Sequence, residues 1–136
     1  MKTNKKAMPL ATVSATRGIR LRVDTNPDFQ RPAVWSLAQK QLLVDSILRE
    51  YDVPKMYWRK LSNNPDKFDV VDGQQRLRAI WSFVDGDFSL PKNAEAIDGM
   101  ETAGCSYDKL PDDLRIRFDT YTLDEVVLED TKKDAI

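Results

Sequence analysis

Val70-Val71-Asp72-Gly73-Gln74-Gln75-Arg76-Leu77-Arg78-Ala79-Ile80-Trp81 is the stretch that decides how this chain folds. Two β-branched residues run into a turn that holds a glycine. Leu77, Ile80, Trp81 and Val84 then recur at helical intervals. The order is strand, tight turn, helix, with one continuous apolar helix face. Gly73 permits a sharp turn and the close approach of a ligand to the backbone. A helix start carries backbone N–H groups that precede the internal ladder, together with the positive end of the dipole. Both favour an anion, most often a phosphate. Arg76 and Arg78 add charge, and an arginine can bond two phosphate oxygens at once. Gln74 and Gln75 can donate without adding charge. A purely structural reading competes with this one: Asp72 as N-cap, Gln75 completing a capping box with it, and Arg76 and Arg78 as solvated surface groups. A carboxylate at position 72 would repel phosphate unless a divalent cation lay between them. The sharper expectation therefore gives Asp72 a metal bound to the phosphates, or a water to position.

Upstream of this unit, Phe68 to Val71 and Lys55 to Leu61 read as a strand pair, joined by a turn at Ser62 to Asp66 with two Asn and a Pro. Ser36 begins a helix, and Gln39 stands at capping-box spacing from it. Leu43, Val44, Ile47 and Leu48 make that helix's apolar face, and Pro54 ends the segment at the latest. Phe29 to Trp35 is irregular, with two aromatics and Pro32. Ile19, Leu21 and Val23 alternate with polar residues as a short half-buried strand. Residues 1–16 lack periodicity and read as a flexible lead-in. Downstream, Asp85-Gly86-Asp87 closes the second helix, and 92–105 reads as a loop. Pro111 suits the first turn of a short helix to about Phe118, and Tyr121 to Leu128 suggest a last strand. Thr131 and Asp134 resemble another helix start that ends after one turn. The reading is one domain over 17–130, then the start of a cut helix over 131–136, in what is expected to be the N-terminal piece of a longer protein.

Composition narrows the chemistry. The 136 residues suffice for one core. Lys and Arg number 21 against 22 Asp and Glu, a net charge of -1, so any nucleic-acid contact must be local. There is no His, which excludes Ser-His-Asp and Cys-His catalysis, an HNH-type nuclease in this chain and His-ligated metal. The single Cys105 can form neither an internal disulfide nor a thiolate zinc site. No apolar run approaches the roughly 18 residues of a membrane span, and no secretory signal is present. A cytoplasmic protein without membrane contact is expected.

Asp72-Gly73-Gln74-Gln75-Arg76-Leu77 resembles the DGQQR motif of the family at the N-terminus of GmrSD-type, modification-dependent restriction proteins. Phe29-Gln30-Arg31-Pro32 with Trp35 resembles that family's second signature. Asp45-Ser46-Ile47-Leu48 and Val53-Pro54 resemble its first helix and exit, and Tyr107 to Phe118 its later segment. The resemblance covers roughly residues 19–128 and implies an α/β (α+β) fold: a small mixed sheet with packed helices, similar to ParB and sulfiredoxin. It implies that Gly73, Gln75 and Arg76 contact the phosphates of a nucleoside triphosphate. It implies NTP binding, with hydrolysis as a possible activity, coupled to DNA restriction against phages by a nuclease domain beyond this chain.

On that reading Gln74 and Arg31 join the phosphate site. Asp72 and Gln75 are the catalytic candidates, with Mg²⁺ held through Asp72. Gln30, Trp35, Asp45 and Arg78 are candidates for base contact or support. Arg31 could instead stack on Trp35 or pair with Asp45. Trp81 reads as packing, and the acidic residues Asp112, Asp113, Asp124, Glu125, Glu129 and Asp130 as a solvated face. The competing function is a non-catalytic ParB-like module that binds DNA or a partner, with Arg17, Arg20 and Arg22 as its basic strip.

Overall fold

The computed structural model describes residues 2–14, 23–24, 34–60 and 68–129. In chain order the elements are β1 (Lys2–Pro9), α1 (Leu10–Ser14), β2 (Val23–Asp24), α2 (Leu37–Leu48), β3 (Met56–Lys60), β4 (Phe68–Asp72), α3 (Gln74–Val84), a 3-10 turn (Tyr107–Lys109), α4 (Asp112–Thr120) and β5 (Thr122–Glu129). The strands form one mixed sheet in the order β1-β5-β3-β4-β2. The β1–β5 and β3–β4 pairs are antiparallel, whereas β5–β3 and β4–β2 are parallel. The expected mixed sheet with packed helices is what forms.

Residues 2–14 depart from the expected lead-in. Lys2 to Pro9 pair residue by residue with Glu129 to Thr122. The Leu10 N–H then donates to the Tyr121 carbonyl at 2.9 Å, and Leu10 and Val13 are fully buried. Lys2-Thr3-Asn4-Lys5-Lys6 has no alternating pattern, so the strand is recognised by its backbone ladder with β5. The expected strand at 19–23 is described only at its end, Val23–Asp24, beside Phe68 and Asp69. The expected turn at 62–66 lies outside the described residues.

The helices follow their sequence signals closely. The Ser36–Gln39 capping box is present: Gln39 N–H donates to Ser36 Oγ, and Ser36 N–H donates to Gln39 Oε1 at 2.8 Å. Leu43, Val44, Ile47 and Leu48 are all buried. In α3 the buried face is Leu77, Ala79, Ile80 and Phe83, while Trp81 and Val84 pack along its edge. Trp81 also donates from Nε1 to the Val13 carbonyl at 3.0 Å, which ties α1 to α3. Phe83 sits among Phe88, Phe118 and Tyr107, with ring centroids 5.4, 5.5 and 6.1 Å away. Tyr107 donates to Asp119 at 2.6 Å; burial first, and then that bond, pushes its hydroxyl up to about 12. It therefore remains a protonated donor at any ordinary pH.

Helices α2 and α3 end alike. At α3, Asp87 N–H reaches Ser82 O and Gly86 N–H reaches Phe83 O, with Gly86 at φ +83°. At α2, Tyr51 N–H reaches Ser46 O and Glu50 N–H reaches Ile47 O, with Glu50 at φ +61°. Both are Schellman closures, which favour glycine at the left-handed position. A glutamate carries a Cβ strain there that glycine avoids. Glu50→Gly is expected to raise stability by about 0.5–1 kcal/mol, the relief of strain outweighing glycine's greater freedom in the unfolded chain. The check is the urea midpoint at constant slope. The Glu50–Arg117 ion pair at 3.7 Å is exposed on the Glu side and contributes little. Arg117 is better used at the same helix end, where Nη1 donates to the Leu48 carbonyl at 3.0 Å.

Candidate functional site

The turn between β4 and α3 is shaped by its neighbours. Tyr57 pairs with Asp72 and Trp58 with Val70, so Val71 is an extra residue in β4. Such a bulge bends a strand and re-aims the residues just beyond it. Gly73 comes next, at φ +104°, and it caps α3 without any side-chain hydrogen bond. The competing structural reading places the cap at Asp72. Asp72 is the last residue of β4, and Gly73 rather than Asp72 stands at the cap position of α3. A Cβ on Gly73 would lie 2.7 Å from Met56 Cε and 3.0 Å from Arg76 Nη2, and would also meet Met56 Sδ. Met56 is wholly buried. The backbone angle therefore calls for glycine, and a side chain here would also have to displace the end of Met56.

The first internal bond of α3 runs from Leu77 N–H to Gly73 O at 3.0 Å. The N–H groups of Gln74, Gln75 and Arg76 precede that ladder, at the positive end of an 11-residue helix. The side chains of Gln75 and Arg76 hold the turn in place. Trp35 N–H donates to Gln75 Oε1 at 3.2 Å, and Arg76 Nη2 donates to the Lys55 carbonyl at 2.9 Å. The first bond joins the Trp35 segment to the Asp72–Leu77 segment across 40 positions of sequence. Gln75 Nε2 is buried and makes no hydrogen bond within the protein. An amide donor in that state is costly unless something else completes it.

Two clefts flank the Trp35–Gln75 bond. One, of about 320 Å³, is lined by Val34, Lys40, Gln75, Arg78, Trp81 and Asp85 among others. The second, of about 360 Å³, is lined by Trp35, Leu42, Leu43, Ser46, Asp52, Val53, Pro54 and Arg76, with Gln39 at its edge. The structure thus brings Gly73, Gln74, Gln75, Arg76, Arg78 and Trp35 together. Asp45 lines neither cleft; it pairs with Arg49 one helical turn on, whose Nε donates to Oδ2 at 2.8 Å. That contact raises the Arg49 pKa, first through the hydrogen bond and then through the charge. Gln30 and Arg31 lie outside the described residues, as do Arg17, Arg20 and Arg22 and the side chain of Asp72.

Two residues near the turn were not legible as site candidates. Lys40 faces the first cleft beside Gln75 and Arg78; only the packing of α2 on α3 reveals it. Glu125 belongs to the expected solvated acidic face, yet it is 2% exposed. Asp112, Asp113 and Asp124 are exposed as expected. The signal for Glu125 was its period-two relation to Leu123, which packs in the core. Glu125 also pairs in register with Met56, the residue that fills the space under Gly73.

A family profile described as GmrSD restriction endonuclease, N-terminal domain, matches residues 14–135. This chain belongs to that family. The GmrSD N-terminal domain is a restriction-endonuclease-associated module, and the match embraces both signature segments and the described fold from Ser14 to Glu129. No curated protein and no solved structure matches the chain. Among the described residues of this GmrSD N-terminal domain, no helix is long and apolar enough to cross a membrane.

Proposed function

We propose that this GmrSD N-terminal domain is the nucleotide-responsive part of an anti-phage DNA restriction protein. A nucleoside triphosphate with Mg²⁺ places its phosphates on the turn from Gly73 to Arg76, and its binding or hydrolysis switches a nuclease domain beyond this chain. The observation that carries this reading is the glycine-capped start of α3, with Met56 packed beneath it and Trp35 and Lys55 bonded to its first turn. An anion seated at this end would meet the positive end of the helix dipole. The bond from Arg76 Nη2 to the Lys55 carbonyl orients the guanidinium plane beside the turn. Asp72, one residue before the cap, is the candidate to hold Mg²⁺ or a water against the phosphates. The likeness to ParB and sulfiredoxin belongs to this proposal too. Hydrolysis would proceed by attack of water, since phosphoryl transfer depends mostly on positioning and charge stabilisation.

Calorimetry with ATP, GTP and CTP, each with Mg²⁺, tests the reading. At least one should bind. Arg76→Ala should weaken that binding by about 1.5–3 kcal/mol, the range for a hydrogen bond to a charged group. Binding should require Mg²⁺ more than low salt; the reverse dependence, with affinity for DNA, would belong to a non-catalytic DNA module. A folded wild-type chain that takes up none of the nucleotides would overturn the proposal.

A further inference from the structure

The larger cleft adjoins the phosphate turn and has a different character. Arg76, from the first turn of α3, lines it, and Arg76 Nη2 lies 3.0 Å from where a Gly73 Cβ would stand. Trp35 forms part of its wall, and the backbone of that same residue is bonded to Gln75. The remaining lining is mainly apolar: Leu42, Leu43, Val53 and Pro54. Its polar groups are few and set apart. They are the Asp52 carboxylate, the Ser46 hydroxyl and Gln39, whose Oε1 is already taken by Ser36 N–H. An aromatic wall, aliphatic sides and a few hydrogen-bonding groups suit a flat heterocycle attached to a sugar. At about 360 Å³ the cleft stands near the lower end of the roughly 300–1,000 Å³ usual for small-molecule sites. That volume suits a base with part of its sugar better than a whole nucleotide.

We infer that this cleft is the base-and-sugar subsite of a nucleotide whose phosphates rest on the Gly73–Arg76 turn. The inference rests on the phosphate reading above and adds a place for the base. Arg76 stands at the junction of the two parts, so a ligand that spans both must pass it. The base lies against Trp35 and the Leu42–Leu43 side of α2, while Asp52 accepts a hydrogen bond from the base edge or a sugar hydroxyl. Leu42 is 66% exposed in the protein as it stands, and a seated base would cover it.

The experiment compares nucleoside triphosphates with inorganic triphosphate, all with Mg²⁺, on the full chain and on two cleft-filling variants. Ser46→Phe fills the cleft from α2 with a neutral side chain. Leu42→Trp fills its mouth from an exposed position and spares the core. In the wild type the preferred nucleotide should bind about ten- to a hundredfold tighter than inorganic triphosphate, the gain from one base stacked on an aromatic surface. Both variants should bring the nucleotide down to the affinity of inorganic triphosphate and leave the latter unchanged. Equal binding of the two ligands by the wild type would overturn the base subsite while leaving the phosphate site intact. A preference for nucleotide that survives in both folded variants would overturn it too and send the base elsewhere. Failure of both ligands to bind would overturn the phosphate reading and this inference together.

Discussion

Gly73→Ala is expected to destabilise the domain by about 2–4 kcal/mol and to abolish nucleotide binding at concentrations that saturate the wild type. Two costs combine. A left-handed residue with a Cβ loses about 1–2 kcal/mol relative to glycine. Inserting a methyl into a filled space costs about 1–3 kcal/mol more. Here the new atom would lie 2.7 Å from Met56 Cε and 3.0 Å from Arg76 Nη2. Met56 is fully buried on β3 between β4 and β5, so its flexible end must repack within the core to make room. A shift of the turn in response would carry Gln75 and Arg76 away from Trp35 and Lys55. A urea titration reads the first effect and calorimetry the second. Met56→Ala in the Gly73→Ala background separates the costs: it should return the packing part and leave the backbone part. If Gly73→Ala keeps wild-type stability, Met56 yields easily and the turn is not sterically determined.

The second large effect is at Phe83. Phe83→Ala should cost about 3–5 kcal/mol, the range for deleting a buried aromatic. Phe83 is wholly buried, and its ring meets Phe88, Phe118 and Tyr107 at once. These residues come from the end of α3, the loop after it, the 3-10 turn and α4, so this one ring joins the middle of the chain to its last helix. A domain of this size has about 5–15 kcal/mol in total, so the variant would stand near the edge of folding. Phe83→Leu should cost much less, because it retains most of the apolar volume. Thermal melts of both variants check the order. A small loss for Phe83→Ala would mean that the three neighbouring rings collapse into the space.

The difference between these two sites shows what could be read from residues alone. Helix α2 was legible in detail, since Ser36, Gln39 and its four buried aliphatics act through local spacing. Helix α3 was legible as an element, but its buried centre was not. Ala79 and Phe83 occupy the core where Trp81 and Val84 were expected, because contacts with α1, α2 and the 3-10 turn decide which arc of an amphipathic helix is covered. The strand at Lys2 to Pro9 was invisible, since its partner lies more than a hundred positions away in β5 and a backbone ladder needs no side-chain pattern. Glu125 read as solvated because glutamate usually is; the register with Met56 places it inside.

At the candidate site, the Asp72 to Arg76 motif by itself determined that a strand would turn sharply into a helix with a glycine at the corner. Those are properties of neighbouring residues and their backbone preferences. Tertiary structure decided the rest. It put a bulge at Val71 just before the Gly73 cap, placed Met56 beneath the turn, and bonded Gln75 to Trp35 and Arg76 to Lys55. It also set the cleft of Trp35 and Leu42 beside Arg76. Each of these joins residues remote in sequence, and such distances are settled only when the sheet register and the packing of α2 on α3 are both complete.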